Sequence, residues 1–233
     1  MDSHANHDPS SILQKNDQQV TGDRMVENGH RPSFGFENHV EGLVVGLDEA
    51  GMCCWAGDVF AAAAYVPETV PAHFLQHIHD SKKLTSQKRQ DLLDGYPAVG
   101  IQIAVASASL VEIDQLNIRG AALKAMERAF AALALEAELA LVDGTMTPVL
   151  PCRVQPIIKG DQQSYSIAAA SIAAKVSRDR YMAELDKLHP EYRWVKNAGY
   201  GTKAHQMALD QYGVSAYHRR SYRPIQALLK KEG

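Results

Sequence analysis

Three short apolar runs in this chain each stop at an acid, and that recurrence narrows the possible folds more than any other feature. "LVVGLDEAG" carries Asp48 and Glu49, "AELALVDG" ends on Asp143, and "RVQPIIKGD" ends on Asp161. Runs of this length between turn residues read as buried strands. Two more apolar stretches, "DVFAAAAYV" and "VGIQIAVASAS", read the same way. Between them lie segments with helical spacing. "SKKLTSQKRQDLLDGY" predicts a helix that Ser86 can cap. "NIRGAALKAMERAFAALALE" places Leu123, Met126, Phe130 and Leu133 on one face. "SYSIAAASIAAKVSRDRYMAELDKLHP" predicts a long helix whose Ala and Ser residues allow close approach to a sheet, ending at Pro190. Strands alternating with helices predict an α/β domain.

The first 40 residues follow another pattern. They are polar and aperiodic, with too few apolar groups to offset the entropy of ordering. The expectation is a disordered tail over 1–40, with a short ordered stretch near Phe34 and Phe36, and one folded domain over 41–233. His4, His7 and His30 in the tail read as incidental. No run of about 18 apolar residues and no basic start before an apolar core is present. The expected location is therefore the cytoplasm. The 3 cysteines show no C-x-x-C spacing, which argues against zinc and against a disulfide framework.

Charge is unevenly spread. From Lys175 onward there are 12 Lys/Arg against 6 Asp/Glu, whereas residues 1–50 hold 3 against 9. A basic C-terminal part is the footprint expected for a polyanion. Acids at strand ends are where α/β sites gather. Carboxylates brought together there repel one another unless a cation neutralises them. Hard divalent cations, Mg²⁺ or Mn²⁺, suit all-oxygen ligands. Acids beside a basic flank point to phosphodiester chemistry. His73, His77 and His79, near Asp80, read as a surface loop rather than a metal site.

The fragments "GLDEAG", "DSKKL", "EIDQLNIRGAALKAM", "LVDG", "KGDQQSYSIAAASIAAKVSRDRYM", "HPEYRW", "GYGTKAH" and "HRRSYRP" carry a further signal. In this order and spacing they resemble ribonuclease HII over about 43 to 225. The resemblance implies a ribonuclease H-like fold, a mixed five-stranded sheet flanked by helices with a helical C-terminal extension from about 190. It implies a metal-dependent endonuclease that cuts RNA in RNA–DNA hybrids and at ribonucleotides embedded in duplex DNA, leaving 3′-hydroxyl and 5′-phosphate ends. It implies Asp48, Glu49, Asp143 and Asp161 as catalytic ligands of two Mg²⁺ or Mn²⁺ ions. Asp48 would bridge both ions, with Glu49 and Asp143 on one and Asp161 on the other.

The resemblance also implies substrate contacts at Gly51, Met52, Cys53, Lys82, Ser164 and Tyr200, with Arg219 and Arg220 as weaker candidates. Ser164 and Ser166 are candidates for placing Asp161 or a phosphate. No protein partner is implied. "PIQALLKK" sets Gln226 and Leu229 at sliding-clamp peptide spacing but lacks the following aromatics, and the expected state is a monomer.

The sequence departs from the family at a turn. Gly-Arg-Gly is replaced by Gly51-Met52-Cys53, Asp58 stands where proline is usual, and Ala198 where lysine is frequent. A left-handed Cys53 would cost roughly 1 kcal/mol and narrow the room for a ribose. Weakened selectivity for a single ribonucleotide is the expected consequence. The alternative is a catalytically weakened or silent hybrid-binding relative.

Overall fold

The computed structural model describes residues 31–79 and 81–230. Its centre is a sheet of five strands: β1 (Leu43–Ala50), β2 (Val59–Tyr65), β3 (Gln102–Ala108), β4 (Ala137–Asp143) and β5 (Arg153–Ile157), in spatial order β3-β2-β1-β4-β5. β1 pairs antiparallel with β2, and β2 with β3, while β4 and β5 run parallel to β1. The expected mixed sheet flanked by helices is therefore present.

Around it lie α1 (Ala72–Leu75), α2 (Ser86–Gly95), α3 (Leu110–Leu133), α4 (Tyr165–Leu188), α5 (Trp194–Asn197), α6 (Lys203–Tyr212) and α7 (Arg223–Leu229). No described helix is long and apolar enough to cross a membrane.

α3 covers one face of the sheet and α4 the other. The alternation of β1 sends Val45 and Leu47 toward Met126 and Ala129 of α3. Ala50 of β1 and Ala62 and Ala64 of β2 meet Ala169, Ala170 and Ala173 of α4. β2 is an alanine run, poor in strand propensity, yet Ala61, Ala62, Ala63 and Ala64 are all fully buried. Small side chains fit there because both faces are covered, so packing overrides propensity.

Gly46 is the tightest point. A Cβ on it would sit 2.1 Å from the Ser166 carbonyl carbon and 2.2 Å from the Ile167 nitrogen. Backbone touches backbone, and α4 is thereby fixed against β1 two residues before Asp48.

The helix boundaries show where the sequence reading was incomplete. α3 begins at Leu110, behind a capping box in which Ser109 Oγ accepts the Glu112 N–H at 3.3 Å and Glu112 Oε2 accepts the Ser109 N–H at 2.9 Å. The start expected at Asn117 survives as a break inside the helix. Asn117 has φ 57°, and its Oδ1 accepts the N–H groups of Arg119 and Gly120 at 2.9 and 3.2 Å. α2 is capped by Thr85, whose Oγ1 accepts the Lys88 N–H at 3.2 Å, and not by Ser86, which is its first residue. α4 ends at Leu188, and Pro190 opens a single 3₁₀ turn, as its missing N–H allows.

The tail boundary also moves. Residues 31–40, expected within the polar tail with a short ordered stretch near Phe34 and Phe36, form a bridge and a short 3₁₀ turn (Glu37–His39) whose Glu37 is buried. Hydrogen bonds at Ser33 and Glu37 and the packing of Phe34, Phe36 and Val40 on the core order them. Residues 1–30, with His4, His7 and His30, lie outside the described residues.

Candidate active site

β1 and β4 run parallel, with Leu47 level with Val142. Their next residues, Asp48 and Asp143, therefore emerge side by side at the carboxyl ends of neighbouring strands. β5 adds its own end, since Asp143 is level with Ile157. A turn follows from there to Asp161, and Gly160 N–H donates to Asp143 Oδ1 at 2.6 Å. Sheet register thus brings acids separated by about a hundred positions in the sequence to one edge.

Asp48, Glu49 and Asp143 line one cavity of about 330 Å³ together with Gly51, Met52, Cys53, Ser81, Lys82, Ser171, Lys175, Arg178 and Tyr200. Asp161 is buried and adjoins the cavity through Lys82, whose Nζ is 4.0 Å from Asp161 Oδ2. Burial holds the Asp48 carboxyl well above the usual carboxylate range. Repulsion from Glu49 and Asp143 adds to this, against hydrogen bonds from the Ser171 hydroxyl and the Glu49 amide. That amide donates to Asp48 Oδ1 at 2.7 Å. Glu49 is pushed up to about 7, chiefly by burial and then by Asp143, with Lys82 acting the other way.

Two acids, Asp48 and Glu49, held high by burial and by neighbouring carboxylates in a polar cleft, mark a candidate functional site. Among the described residues, no three His, Cys, Asp or Glu side chains are gathered closely enough to hold a metal ion as they stand. This covers His73, His77 and His79, while Asp80 lies outside the described residues. Asp48, Glu49 and Asp143 share this cleft, with Asp161 beside it. Their chemistry, carboxylate oxygens without nitrogen or sulfur, fits a hard divalent cation.

The turn that departs from the family pattern is held from behind by two arginines. Arg178 and Arg219 are 1% and 0% exposed. Arg178 donates to the carbonyls of Asp58 (3.2 Å), Ala198 (2.8 Å) and Ala56 (3.1 Å). Arg219 donates to those of Gly57 (2.9 Å), Met52 (3.3 Å) and Asp58 (3.3 Å). The Tyr222 hydroxyl adds a bond to the Met52 carbonyl at 2.5 Å. Buried guanidinium groups with most of their bonds directed at main-chain oxygens act as struts, and Arg219 also donates to the Tyr222 hydroxyl at 2.9 Å. Arg219 is thus no phosphate contact, because it is enclosed.

Gly51 has φ 104°, and a Cβ there would lie 2.2 Å from Arg178 Nε, so only glycine fits. Cys53 is not among the residues with positive φ. The left-handed strain expected at Cys53 is absent, and its effect reduces to the volume of an exposed thiol at the cavity. Cys54 is buried, its thiol raised mainly by burial and bonded to the Tyr200 hydroxyl. Asp58 turns away from the acids: its carboxylate meets the Tyr181 hydroxyl and the Leu110 amide.

Tyr200 stands at the opposite wall, 45% exposed. Its strand-like contact with Cys54 and the Trp55 N–H to Gly199 carbonyl bond (2.7 Å) tie its loop to the turn. Ser164, expected as a substrate contact, is fully buried. Its Oγ donates to Glu37 Oε1 at 2.7 Å and accepts the Ile167 N–H at 3.2 Å. It caps α4 and cannot reach a phosphate, and Ser166 is likewise enclosed. Sequence reasoning missed Ser171, Lys175 and Arg178. Their i, i+4, i+7 spacing on α4 was the available signal, since it sets three polar groups on the helix face toward β1.

The comparisons with known proteins agree with one another. The family model described as ribonuclease HII matches residues 45–224. The ribonuclease HII of Paramagnetospirillum magneticum is 45% identical over 195 residues, covering 83% of this chain and 96% of that protein. The ribonuclease HII of Thermosynechococcus vestitus is 48% identical over 191 residues, covering 81% and 86%. The crystal structure of ribonuclease H2 from Pyrococcus horikoshii superposes with a TM-score of 0.67 at 21% identity, covering 81% of this chain and 98% of that one.

Proposed function

Because the chain belongs to the ribonuclease HII family and is accordingly an endoribonuclease of the ribonuclease H kind, we propose that it hydrolyses RNA in RNA–DNA hybrids and at ribonucleotides embedded in duplex DNA. Asp48, Glu49, Asp143 and Asp161 are the proposed ligands of divalent cations, Mg²⁺ or Mn²⁺. The observation that carries this reading is the convergence of Asp48, Glu49 and Asp143 on one cavity, with Lys82 and Tyr200 on its walls. Bound there, divalent cations would neutralise the acids, activate a water and stabilise the leaving oxygen of an in-line displacement.

The chain's own groups supply the rest of the proposal. Asp48, held by the Glu49 amide and Ser171, presents a fixed carboxylate at the centre. Lys82, on the cavity wall beside Asp161, would meet a phosphate. Gly51, Met52 and Cys53 form the floor under a ribose, and the two arginines keep that floor in place. Tyr200 faces them and would hold the sugar whose 2′-hydroxyl marks it as RNA. The bond broken is between phosphorus and the 3′ oxygen of the preceding nucleotide, so the products carry a 3′-hydroxyl and a 5′-phosphate. The unstrained Cys53 backbone weighs against the silent relative.

The test uses a labelled RNA–DNA hybrid and a DNA duplex with one ribonucleotide, each with Mg²⁺ and with Mn²⁺. Cleavage of both that disappears in Asp48→Asn is the expected result. Cleavage of the hybrid alone would mean that Met52 and Cys53 have cost the enzyme its junction recognition. Tight binding without cleavage of either would replace the proposal with the silent hybrid-binding relative.

A further inference from the structure

Residues 31–39 precede the span matched by the family model, and the site as described gives them no role. They nevertheless grip the turn that carries Asp161. The Ser33 N–H donates to the Gln163 carbonyl at 3.0 Å, and the Tyr165 N–H to the Ser33 carbonyl at 3.4 Å. Phe34 packs on Tyr165 with ring centroids 5.0 Å apart.

Glu37 is the centre of the grip. Its Oε1 accepts the Ser164 hydroxyl at 2.7 Å and the Ser166 N–H at 3.2 Å. A carboxylate there complements the amino end of the 24-residue helix α4. Ser164 N–H in turn donates to the Gly160 carbonyl at 2.9 Å, and Gly160 N–H to Asp143 Oδ1 at 2.6 Å. Asp161 lies inside this closed turn. A continuous line of hydrogen bonds therefore runs from Glu37 through Ser164 and Gly160 to one proposed metal ligand, and it encloses another.

The second oxygen, Oε2, is buried without a hydrogen-bond partner, as is Ser166 Oγ. A half-satisfied buried carboxylate is a poor way to stabilise a fold. Fixing the geometry of the turn is a use that suits it better.

We propose that Glu37 is a positioning residue for the acid site, setting Asp161 and Asp143 through Ser164 and Gly160. The inference rests on the metal-site reading above. Glu37→Ala removes the acceptor of Ser164 and Ser166. Glu37→Gln keeps an acceptor oxygen in its place, and a role in positioning is rescued by it.

Manganese binding to the full chain is measured by titration calorimetry without nucleic acid, and kcat and KM are measured on a hybrid. Glu37→Ala should bind Mn²⁺ roughly tenfold more weakly, as losses behind a ligand shell do. Its kcat should fall while KM for the hybrid holds, and Glu37→Gln should stay near the parent in both. If Glu37→Ala does not fold, Glu37→Asp, which withdraws the oxygen by one methylene, is read in its place. A folded variant without the acceptor that binds Mn²⁺ as the parent does overturns the inference. So does equal impairment of the alanine and glutamine variants. A parent protein that neither binds Mn²⁺ nor cuts the hybrid refutes instead the reading on which the inference rests.

Discussion

Acid should unfold this protein through a pair of buried histidines behind Tyr200. The Tyr200 carbonyl, 3.0 Å from His205 Nδ1, can only accept, so Nδ1 carries the proton. The Ser215 N–H lies 3.0 Å from His218 Nδ1 and can only donate, so His218 carries its proton on Nε2. His205 Nε2 then accepts from both His218 Nε2–H at 3.0 Å and Trp194 Nε1–H at 3.2 Å. Both rings are neutral: a further proton on His205 Nε2 would face two donors, and one on His218 Nδ1 would give up the Ser215 N–H bond and keep only the Ser215 hydroxyl, 2.9 Å away, as acceptor.

Burial first, and the neighbouring His205 second, lower His218 from 6.5 to about 3. His205 is lowered as well, by burial. Between these pH values the unfolded chain binds a proton that the folded chain refuses, so stability falls as pH falls. With a slope that approaches 1.36 kcal/mol per pH unit below the unfolded value, His218 alone removes about 2 kcal/mol between pH 6.5 and 4.5. That is a large share of the roughly 5–15 kcal/mol that holds an ordinary domain.

The assay is urea denaturation from pH 8 to 4.5 of the parent and of His218→Gln. The variant should be weaker by roughly 1–2 kcal/mol at pH 7.5. Its stability should then fall less steeply with acid, so the two curves converge below pH 6. Parallel curves would refute the neutral-pair argument.

Three other expectations follow from contacts near the acids. Gly46→Ala pushes a Cβ into the Ser166 backbone and should cost at least about 3 kcal/mol, read as a lower thermal midpoint or as loss of soluble protein. Arg219→Met strips donors from the carbonyls of Met52, Gly57 and Asp58. Of these three, Met52 keeps the Tyr222 hydroxyl and Asp58 keeps Arg178, so the Gly57 carbonyl is the one orphaned, at about 1–3 kcal/mol in urea, and an effect under about 1 kcal/mol would show that the strut is dispensable. Cys53→Gly should change stability by no more than about 1 kcal/mol while raising cleavage at a single ribonucleotide relative to a continuous hybrid. An unchanged ratio of the two rates would remove the steric role of the thiol.

Much of this architecture was legible because period and punctuation agree. β1, β4 and β5 were bounded by their acids and glycines, and α4 by Ser164 and Pro190. Asp48, Glu49 and Asp143 could be grouped because strand ends collect sites, and register then does what sequence distance hides. Contacts between distant segments were not legible. Arg219 reads as a basic surface residue in "HRRSYRP", and only the fold turns it inward onto the Met52 carbonyl. Ser164 reads as polar and available, yet Glu37, more than a hundred positions away, encloses it. Residues 31–40 were grouped with the polar tail apart from a short ordered stretch near Phe34 and Phe36, because their polar bonds and the packing of Phe34, Phe36 and Val40 follow no hydrophobic period. Cys53 was assigned strain because a glycine stands there in the family, although the backbone needs positive φ only at Gly51.

The most direct test of the central claim is the chemistry of the ends left at one embedded ribonucleotide. A duplex carrying a single ribonucleotide is cut in Mg²⁺ or Mn²⁺, and both fragments are weighed by mass spectrometry. The account predicts scission on the 5′ side of the ribonucleotide, leaving a 3′-hydroxyl on the DNA and a 5′-phosphate on the ribonucleotide. A cut on its 3′ side ending in a 2′,3′-cyclic phosphate would mean that the 2′-hydroxyl is the nucleophile, and would contradict hydrolysis at the Asp48–Glu49–Asp143–Asp161 site.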